Sequence, residues 1–175
     1  GKFVSNHGLG ASPVLTRTGL VVLVDHDGQS NLVSLDKESG STQWKAKRDT
    51  TSSWASPTTH VTNDNIELIV CSASGKIISY NAINGDFVWD YYQINGNNVP
   101  TLSIHGDYAL AGSSRKNNTQ LLKINKKGID LLWKSKNATS SFGSPLIYNG
   151  RAYIVNKAGI LFCYSILSGK LLFDH

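Results

Sequence analysis

The residues whose spacing is most suggestive of chemistry are three aspartates in one polar stretch. The stretch "DHDGQSNLVSLD" begins at Asp25, and Asp27 and Asp36 supply its other carboxylates. Calcium takes about six to eight oxygen ligands, and an EF-hand loop needs a glycine at its sixth position. Gly28 stands at the fourth position of this stretch instead. We therefore predict a β-hairpin turn here and no calcium site.

The other reactive side chains form no recognisable catalytic or metal-binding motif. The five histidines lack the short spacing of zinc ligands, and no G-x-S-x-G turn presents a nucleophilic serine. Cys71 and Cys163 lie in separate apolar runs, which predicts two buried free thiols. We accordingly predict no catalytic residue, no metal ligand and no cofactor-binding residue in this chain.

Composition and charge indicate a globular domain. The chain has 175 residues, of which 40% are hydrophobic, and a net charge of +5 that is spread along its length, so we predict no nucleic-acid partner. Its apolar runs are much shorter than the roughly 20 residues of a membrane-spanning helix, which predicts no membrane span. The sequence contains no methionine, so we expect a processed chain, a fragment or a domain.

Two independent sequence markers recur with one period and divide the chain into four copies. Trp44, Trp89 and Trp133 are 45 and 44 residues apart, and Phe173 follows 40 residues later. A glycine precedes each of these aromatic residues, at Gly40, Gly85, Gly128 and Gly169. A proline keeps the same period at the other end of each copy, at Pro13, Pro57, Pro100 and Pro145. The copies span approximately 11–54, 55–98, 99–142 and 143–175.

Each copy reads as four short β-strands separated by turns. The fourth copy, "SPLIYNGRAYIVNKAGILFCYSILSGKLLFDH", alternates apolar runs with the turns "NG", "KAG" and "LSG". Helical periodicity is missing from all four copies. Four-stranded units of about 40 to 50 residues have the size of propeller blades. We therefore predict an all-β fold, a β-propeller of about four blades that forms part of a larger ring of seven or eight.

The repeat resembles the PQQ-like propeller repeat of quinoprotein alcohol dehydrogenases and of the BamB family. The residues that carry the resemblance are the glycine-to-aromatic segments "SLDKESGSTQW", "YNAINGDFVW", "INKKGIDLLW" and "YSILSGKLLF". The resemblance implies that Trp44, Trp89 and Trp133 are docks between blades, with Phe173 as a weaker substitute. It also implies that the four glycines allow the close approach of the neighbouring blade, and that a half ring would associate with a second copy.

Two aromatic residues lie outside the repeat of docks. Trp54 in "TTSSWASP" and Phe142 in "TSSFGSP" take equivalent places just before an innermost strand. Propeller loops at this point line the mouth of the central channel. We therefore name Trp54 and Phe142 as packing residues that recur between copies or, alternatively, as contacts for a ligand at the channel mouth.

The resemblance leaves three functions open. We prefer a non-catalytic scaffold, periplasmic or extracellular in the family's manner, that binds a protein partner or an extended ligand at the propeller face. The alternative is part of a quinoprotein dehydrogenase that uses PQQ with calcium and whose catalytic residues lie outside this chain. Relatives that hold the quinone cover it with two adjacent cysteines, and this chain has no such pair. The third function is an extracytoplasmic sensor domain.

Overall fold

The computed structural model describes residues 3–5, 7–126 and 128–175. These residues form sixteen strands and no helix. Sheet 1 contains β1 (Val14–Leu15), β2 (Leu20–Val24), β3 (Ser30–Leu35) and β4 (Thr42–Arg48). Sheet 2 contains β5 (Thr58–Val61), β6 (Glu67–Ala73), β7 (Lys76–Asn81) and β8 (Phe87–Tyr91). Sheet 3 contains β9 (Ser103–His105), β10 (Tyr108–Ala111), β11 (Gln120–Asn125) and β12 (Gly128–Lys134). Sheet 4 contains β13 (Leu146–Tyr148), β14 (Arg151–Val155), β15 (Leu161–Ser165) and β16 (Leu171–Asp174).

Every sheet is an antiparallel meander whose strands pair in the order in which they occur along the chain. The predicted all-β fold of four-stranded units is thereby confirmed. Residues 25–29 connect β2 to β3, so the aspartate-rich stretch opens with a hairpin, as predicted. Cys71 and Cys163 are buried free thiols, also as predicted.

The strands form because apolar and β-branched side chains alternate between two faces that are both covered in the interior of the molecule. Val21 and Leu23 of β2 point to one face, and their partners Ser34 and Leu32 on β3 share it. All four side chains are at most 1% exposed. Burial of this kind contributes about 1.5–3 kcal/mol for each large apolar side chain.

Consecutive sheets pack face to face through three hydrophobic clusters. Sheets 1 and 2 enclose a cluster that includes Leu23, Leu32 and Ile69. Sheets 2 and 3 enclose a second cluster around Val70 and Leu122. The third cluster lies between sheets 3 and 4, and its members include Leu110, Leu121, Ile147, Ile154 and Phe162. Sheets 2 and 3 therefore bury both of their faces, whereas sheets 1 and 4 each bury one face against a neighbour.

The first strands of neighbouring sheets approach one another, because β5 lies beside β9 and β9 lies beside β13. The shortest strands are thus innermost, while the longer second and third strands carry most of the core between the sheets. This arrangement brings the connections between sheets together at one end of the molecule. The described residues include no apolar helix of the length needed to cross a bilayer.

Candidate functional site

The connections between sheets build one end of the molecule, which we call the mouth face. It consists of residues 49–57, 92–102 and 135–145, together with the N-terminal segment 7–12. Hydrogen bonds hold these connections in place: Trp54 N of the first connection donates to Asn98 O of the second at 2.7 Å, and Ser140 N of the third donates to Ser113 O of the β10–β11 loop at 2.6 Å. The mouth face is therefore an ordered surface made from equivalent segments of successive copies.

A series of hydroxyl groups links the copies just below the mouth face. Ser12 N donates to Ser56 Oγ at 2.8 Å, and Ser56 N donates to Thr101 Oγ1 at 2.9 Å. Thr101 N in turn donates to Ser144 Oγ at 3.0 Å. The sequence analysis aligned the copies by proline, but in the third copy Pro100 precedes the hydroxyl residue, whereas in the others the proline follows it. The hydroxyl series therefore gives the register of the copies better than the proline does.

The side chains two residues before these hydroxyl residues surround a cleft on the mouth face. Trp54, Val99 and Phe142 hold this position before the hydroxyl residues of the second, third and fourth copies, and they line a cleft of about 430 Å³ together with His7. Phe142 is 77% exposed, which is unusual for an aromatic side chain that has apolar neighbours available. The structure thus brings together the two aromatic residues that the sequence named at the channel mouth.

Trp54 is held in place from several sides. Its Nε1 donates to Gly8 O at 3.1 Å, and its ring meets the His7 ring edge-on, with centroids 5.8 Å apart. In the first copy Gly10 occupies the position equivalent to Trp54, and a Cβ on Gly10 would lie 3.0 Å from Trp54 Cδ1. The indole therefore packs over a site where only glycine leaves comfortable room.

A buried amide fixes the connection on which Val99 lies. Asn97 is fully buried, and its side-chain nitrogen donates to Ser72 Oγ at 3.0 Å and to Lys76 O at 2.8 Å. Its Oδ1 accepts a hydrogen bond from Gly75 N at 3.0 Å. These bonds satisfy three of the amide's four hydrogen-bonding positions and join the mouth face to sheet 2. The cleft is accordingly built on rigid support.

The tryptophans that the sequence named as docks lie at the opposite end of the sheets, over glycine turns of the next sheet. Trp44 of sheet 1 covers Gly85 of sheet 2, where a Cβ would lie 2.5 Å from Trp44 Cε3. Trp133 of sheet 3 covers Gly169 of sheet 4, where a Cβ would lie 2.7 Å from Trp133 Cγ. Each aromatic residue therefore meets the glycine of the following copy, not the glycine of its own copy.

The indole nitrogens of these two tryptophans are hydrogen-bonded to the same turns. Trp44 Nε1 donates to Ala82 O at 3.2 Å, and Trp133 Nε1 donates to Ile166 O at 2.9 Å. Both carbonyls belong to the residue three positions before the covered glycine. The contact thus combines burial of a large aromatic surface with one directional hydrogen bond.

Trp89 differs from the other two tryptophans. It is only 5% exposed, yet its Nε1 finds no acceptor within the described part of the chain. Gly128 stands one residue earlier in its turn than the equivalent glycines do, and a Cβ on Gly128 would approach Trp89 Cβ only to 3.9 Å. The one-residue displacement visible in the sequence of the third copy therefore coincides with a different geometry at this seam.

The two remaining members of the aromatic and glycine sets lie at the ends of the array and do not meet. Phe173 on β16 is 43% exposed. Gly40 has a φ of +70°, and a Cβ on it would meet no atom within 4 Å. The structure therefore brings together three aromatic–glycine pairs between sheets and leaves Phe173 and Gly40 apart.

A buried charged cluster between sheets 1 and 2 was not predicted from the sequence. Arg48 makes two hydrogen bonds to the Asp25 carboxylate, at 2.8 and 3.0 Å, and both side chains are 0% exposed. Arg48 Nη1 also donates to the Tyr80 hydroxyl at 3.0 Å. Burial acts to lower the pKa of Arg48, but the charge and hydrogen bonds of Asp25 help to hold that pKa above its ordinary value. The cluster joins two sheets and has no opening to a substrate.

Burial also raises the pKa of two titratable groups at this cluster, Cys71 and Tyr80. It raises the pKa of the Cys71 thiol to about 11, with the Arg48 charge acting in the opposite direction. It raises the pKa of Tyr80 to about 12. Both groups are therefore neutral at physiological pH, and the thiol is not activated as a nucleophile. No sequence signal marked Arg48, because the cluster occurs in one copy and is not part of the repeat.

The residues present do not fit a binding site for the quinone and calcium of the PQQ-dependent relatives. Cys71 and Cys163 lie on different sheets, so they cannot form the adjacent pair that covers the cofactor in relatives that hold it. In residues 3–5, 7–126 and 128–175, no three His, Cys, Asp or Glu side chains group closely enough to hold a metal ion. We derive no chemistry through this cofactor.

Comparisons with known proteins agree with this architecture. The family described as outer membrane protein assembly factor BamB matches residues 4–174. The crystal structure of BamB from Moraxella catarrhalis superposes with a TM-score of 0.72 at 15% identity, covering 94% of this chain and 51% of that one. The computationally designed Ika8 protein superposes with a TM-score of 0.62 at 16% identity, covering 93% of this chain and 48% of that one. No curated protein sequence is significantly similar to the chain. The chain therefore spans about half the length of the solved structures that it resembles.

Proposed function

Because this chain belongs to the family of outer membrane protein assembly factor BamB, we propose that it is a non-catalytic propeller scaffold that binds an extended protein segment at its mouth face. The partners are a protein segment at the mouth face and further blades at the two ends of the array. The family's description as an assembly factor also supports a location outside the cytoplasm, in the periplasm or at the cell surface.

The observation that carries the proposal is the exposed aromatic cleft of Trp54, Val99 and Phe142. Its residues come from equivalent positions of three copies, so the cleft follows the curvature of the array. Aromatic side chains are enriched at protein interfaces because they bury a large area at a small cost in conformational entropy. Phe142 leaves 77% of its surface open to a partner.

The shape of the cleft favours an extended segment over a compact small molecule. The cleft is an open groove of about 430 Å³ with four lining residues, of which three are apolar. Small ligands prefer enclosed pockets that bury most of their surface. An extended peptide instead gains affinity from successive side chains that enter neighbouring shallow sites. We therefore expect apolar side chains at alternate positions of the bound segment.

Peptide binding to a matched set of variants tests the proposal. A library of fluorescently labelled twelve-residue peptides with apolar residues at alternate positions is titrated against the chain, and fluorescence anisotropy gives each Kd. For the peptides that bind, we expect Trp54→Ala and Phe142→Ser to raise Kd by about tenfold or more, as loss of a central aromatic contact does.

Ile83→Ser is the control variant because Ile83 is 68% exposed but lies on a glycine turn at the opposite end of the sheets. It should leave Kd within about twofold, since surface positions away from the interface contribute little. Absence of binding by every peptide, or equal losses for Ile83→Ser and Phe142→Ser, contradicts the proposed function.

A further inference from the structure

The contact between sheets 2 and 3 departs from the two other internal contacts at the end of the sheets that carries the glycine turns. Four residues separate the paired positions Asn81 and Asp86 in the last hairpin of sheet 2. Six residues separate the equivalent positions Lys123 and Asp130 in sheet 3, so the β11–β12 hairpin is two residues longer. At this contact alone among the three, the indole nitrogen, that of Trp89, has no acceptor within the described residues. A local departure from an otherwise consistent pattern is typical of functional sites.

Two adjoining clefts open between sheets 2 and 3 at this end of the molecule. Their volumes are about 260 and 330 Å³, near the lower end of the range of about 300–1,000 Å³ for small-ligand sites. The clefts share Thr62 and Asp64 of the β5–β6 loop and Asn125 and Lys126 of the β11–β12 hairpin. Both walls belong to sheets 2 and 3, which have sheets of this chain on either side. The clefts therefore do not depend on what lies beyond sheets 1 and 4.

The first cleft is polar, and its charges balance. Eight of its nine lining residues are polar. Lys123 and Lys126 contribute two positive charges, and Asp64 and Asp107 contribute two negative charges. Lys126 Nζ and Asp64 Oδ2 form an exposed ion pair at 2.8 Å. Burial lowers the pKa of His60, which also lines the cleft, so this ring adds no charge at neutral pH. The cleft accordingly presents both donors and acceptors without a net charge.

Three polar groups at the two clefts have no hydrogen-bond partner within the described part of the chain. The Asp107 carboxylate lies 3.8 Å from His60 Nε2, which is beyond hydrogen-bonding distance. Lys123 Nζ makes no hydrogen bond or ion pair. The third group is Nε1 of Trp89, whose side chain lines the second cleft. A ligand in these clefts therefore meets donors and an acceptor that no contact among the described residues already uses.

The second cleft adds an apolar wall to these polar groups. Ile66 and Val88 line it beside Trp89, and they are 45% and 41% exposed. A sugar matches this combination, because each of its hydroxyl groups both donates and accepts hydrogen bonds and its C–H faces pack against apolar side chains. We propose that the two clefts between sheets 2 and 3 bind a neutral sugar, with its hydroxyl groups on Asp107 and Lys123 and a C–H face on the apolar wall.

A neutral sugar fits the charges better than an ion does. An anion would lie beside the carboxylates of Asp64 and Asp107, and an organic cation would lie beside the ammonium groups of Lys123 and Lys126. For a metal ion, the described residues provide no group of three His, Cys, Asp or Glu side chains. The inference is separate from the proposed peptide binding, because the clefts lie at the end of the sheets opposite to the mouth face.

Nuclear magnetic resonance titration of the ¹⁵N-labelled chain tests the site. The probes are glucose, galactose, mannose, N-acetylglucosamine and the disaccharides cellobiose and chitobiose. Trp89 and Trp54 report on opposite ends of the sheets, and Trp89→Phe and Trp54→Phe identify their indole N–H resonances. We expect at least one sugar to shift the Trp89 resonance with a Kd of about 1 mM or below and to leave the Trp54 resonance unchanged.

Two variants and two matched controls test the contacts to the sugar. Asp107→Ala and Lys123→Met should each raise the Kd of that sugar by about tenfold or more, because each removes a hydrogen bond to a charged group. Asp86→Ala and Lys134→Met remove the same charges at exposed positions of sheets 2 and 3 outside both clefts. The controls should leave Kd within about twofold.

The proposal is overturned if no sugar shifts the Trp89 resonance at concentrations up to about 100 mM. A shift of the Trp54 resonance without one of Trp89 also overturns it, since the sugar then binds at the mouth face. Tighter binding of inorganic phosphate than of every sugar, or equal losses for Asp107→Ala and Asp86→Ala, would contradict it as well. The amide spectrum shows whether each variant is folded, and Lys123→Met, which changes an exposed side chain, decides the matter if Asp107→Ala is unfolded.

Discussion

At the residue scale, the positions that repeat were predictable and the positions that occur once were not. The glycine and tryptophan pattern is visible in the sequence because it recurs four times with nearly constant spacing. The buried pair of Asp25 and Arg48 occurs once, and neither residue type indicates burial by itself. Sequence reasoning assigned Asp25 to a hairpin, which is correct, but it could not reveal the arginine that reaches the carboxylate from β4.

The pairing of aromatic residue with glycine also needed the structure. Gly85 and Trp89 are close in sequence, yet the ring over Gly85 is that of Trp44. Periodicity gives the positions of the two partners within a copy but does not state which copy contributes each one. Likewise, the missing acceptor of Trp89 Nε1 within the described residues could not be predicted from the one-residue displacement of Gly128 in its turn.

His60 gives the molecule a predictable pH dependence. Its side chain is 4% exposed, and burial lowers its pKa from the ordinary value of 6.5, although Asp107 at 3.8 Å acts to raise that pKa. The folded state therefore binds a proton less readily than the unfolded state does, so stability is full above pH 6.5 and falls as the pH drops through the lowered pKa.

Chemical denaturation between pH 7.5 and pH 5 measures this dependence. We expect the free energy of unfolding to decrease as the pH falls, and we expect His60→Gln to make the decrease smaller. His105→Gln, which replaces an exposed histidine, is the control for the substitution itself. Identical profiles for the original chain and for His60→Gln would show that His60 does not cause the dependence.

At the element scale, the strands and their order were predictable because each apolar run is short and bounded by turn residues. The segments that connect the strands were less predictable from the sequence. Proline aligned the first, second and fourth copies correctly but misplaced the third copy by two residues, and the hydroxyl series that joins the copies was not recognised. Serine and threonine are frequent in this sequence, so their alignment becomes meaningful only when the hydrogen bonds are seen.

Sheets 1 and 2 should depend strongly on the buried charged cluster. Arg48→Met leaves the Asp25 carboxylate buried without its cationic partner, and we expect this to cost about 3–5 kcal/mol of unfolding free energy. Lys45→Met on the exposed side of the same strand should cost no more than about 0.5 kcal/mol. Urea denaturation at a fixed protein concentration gives both values.

A compensating variant shows whether the unpaired charge is the cause. Replacing both partners, as Asp25→Leu with Arg48→Met, removes the unpaired carboxylate and should recover part of the loss. The cluster does not stabilise the contact between sheets 1 and 2 if Arg48→Met costs no more unfolding free energy than Lys45→Met. The same conclusion follows if the double variant is less stable than the Arg48→Met variant.

At the scale of the whole molecule, the sequence predicted the propeller architecture and the likeness to BamB, because repeats of this length admit few other folds. The function could be predicted less well from the sequence. The mouth cleft combines residues from the N-terminal segment and three connections, as Trp54 and Phe142 illustrate, and only folding brings such segments together.

An indole packed over a glycine of the next sheet holds successive sheets together, as Trp44 over Gly85 illustrates. A double-mutant cycle of Trp44→Ala and Gly85→Ala, followed by urea denaturation at a fixed protein concentration, measures this contact. Gly85→Ala should cost about 1–2 kcal/mol for its positive φ and about 1–3 kcal/mol more for collision with the indole.

Gly150→Ala is the reference for backbone strain alone, since its φ of +72° matches the +75° of Gly85 and its Cβ would have nothing within 4 Å. In the Trp44→Ala background, we predict that the cost of Gly85→Ala falls to that of Gly150→Ala, because the colliding ring is gone. If Gly85→Ala costs the same free energy with and without the Trp44 indole, the aromatic–glycine seam is not what holds these sheets together.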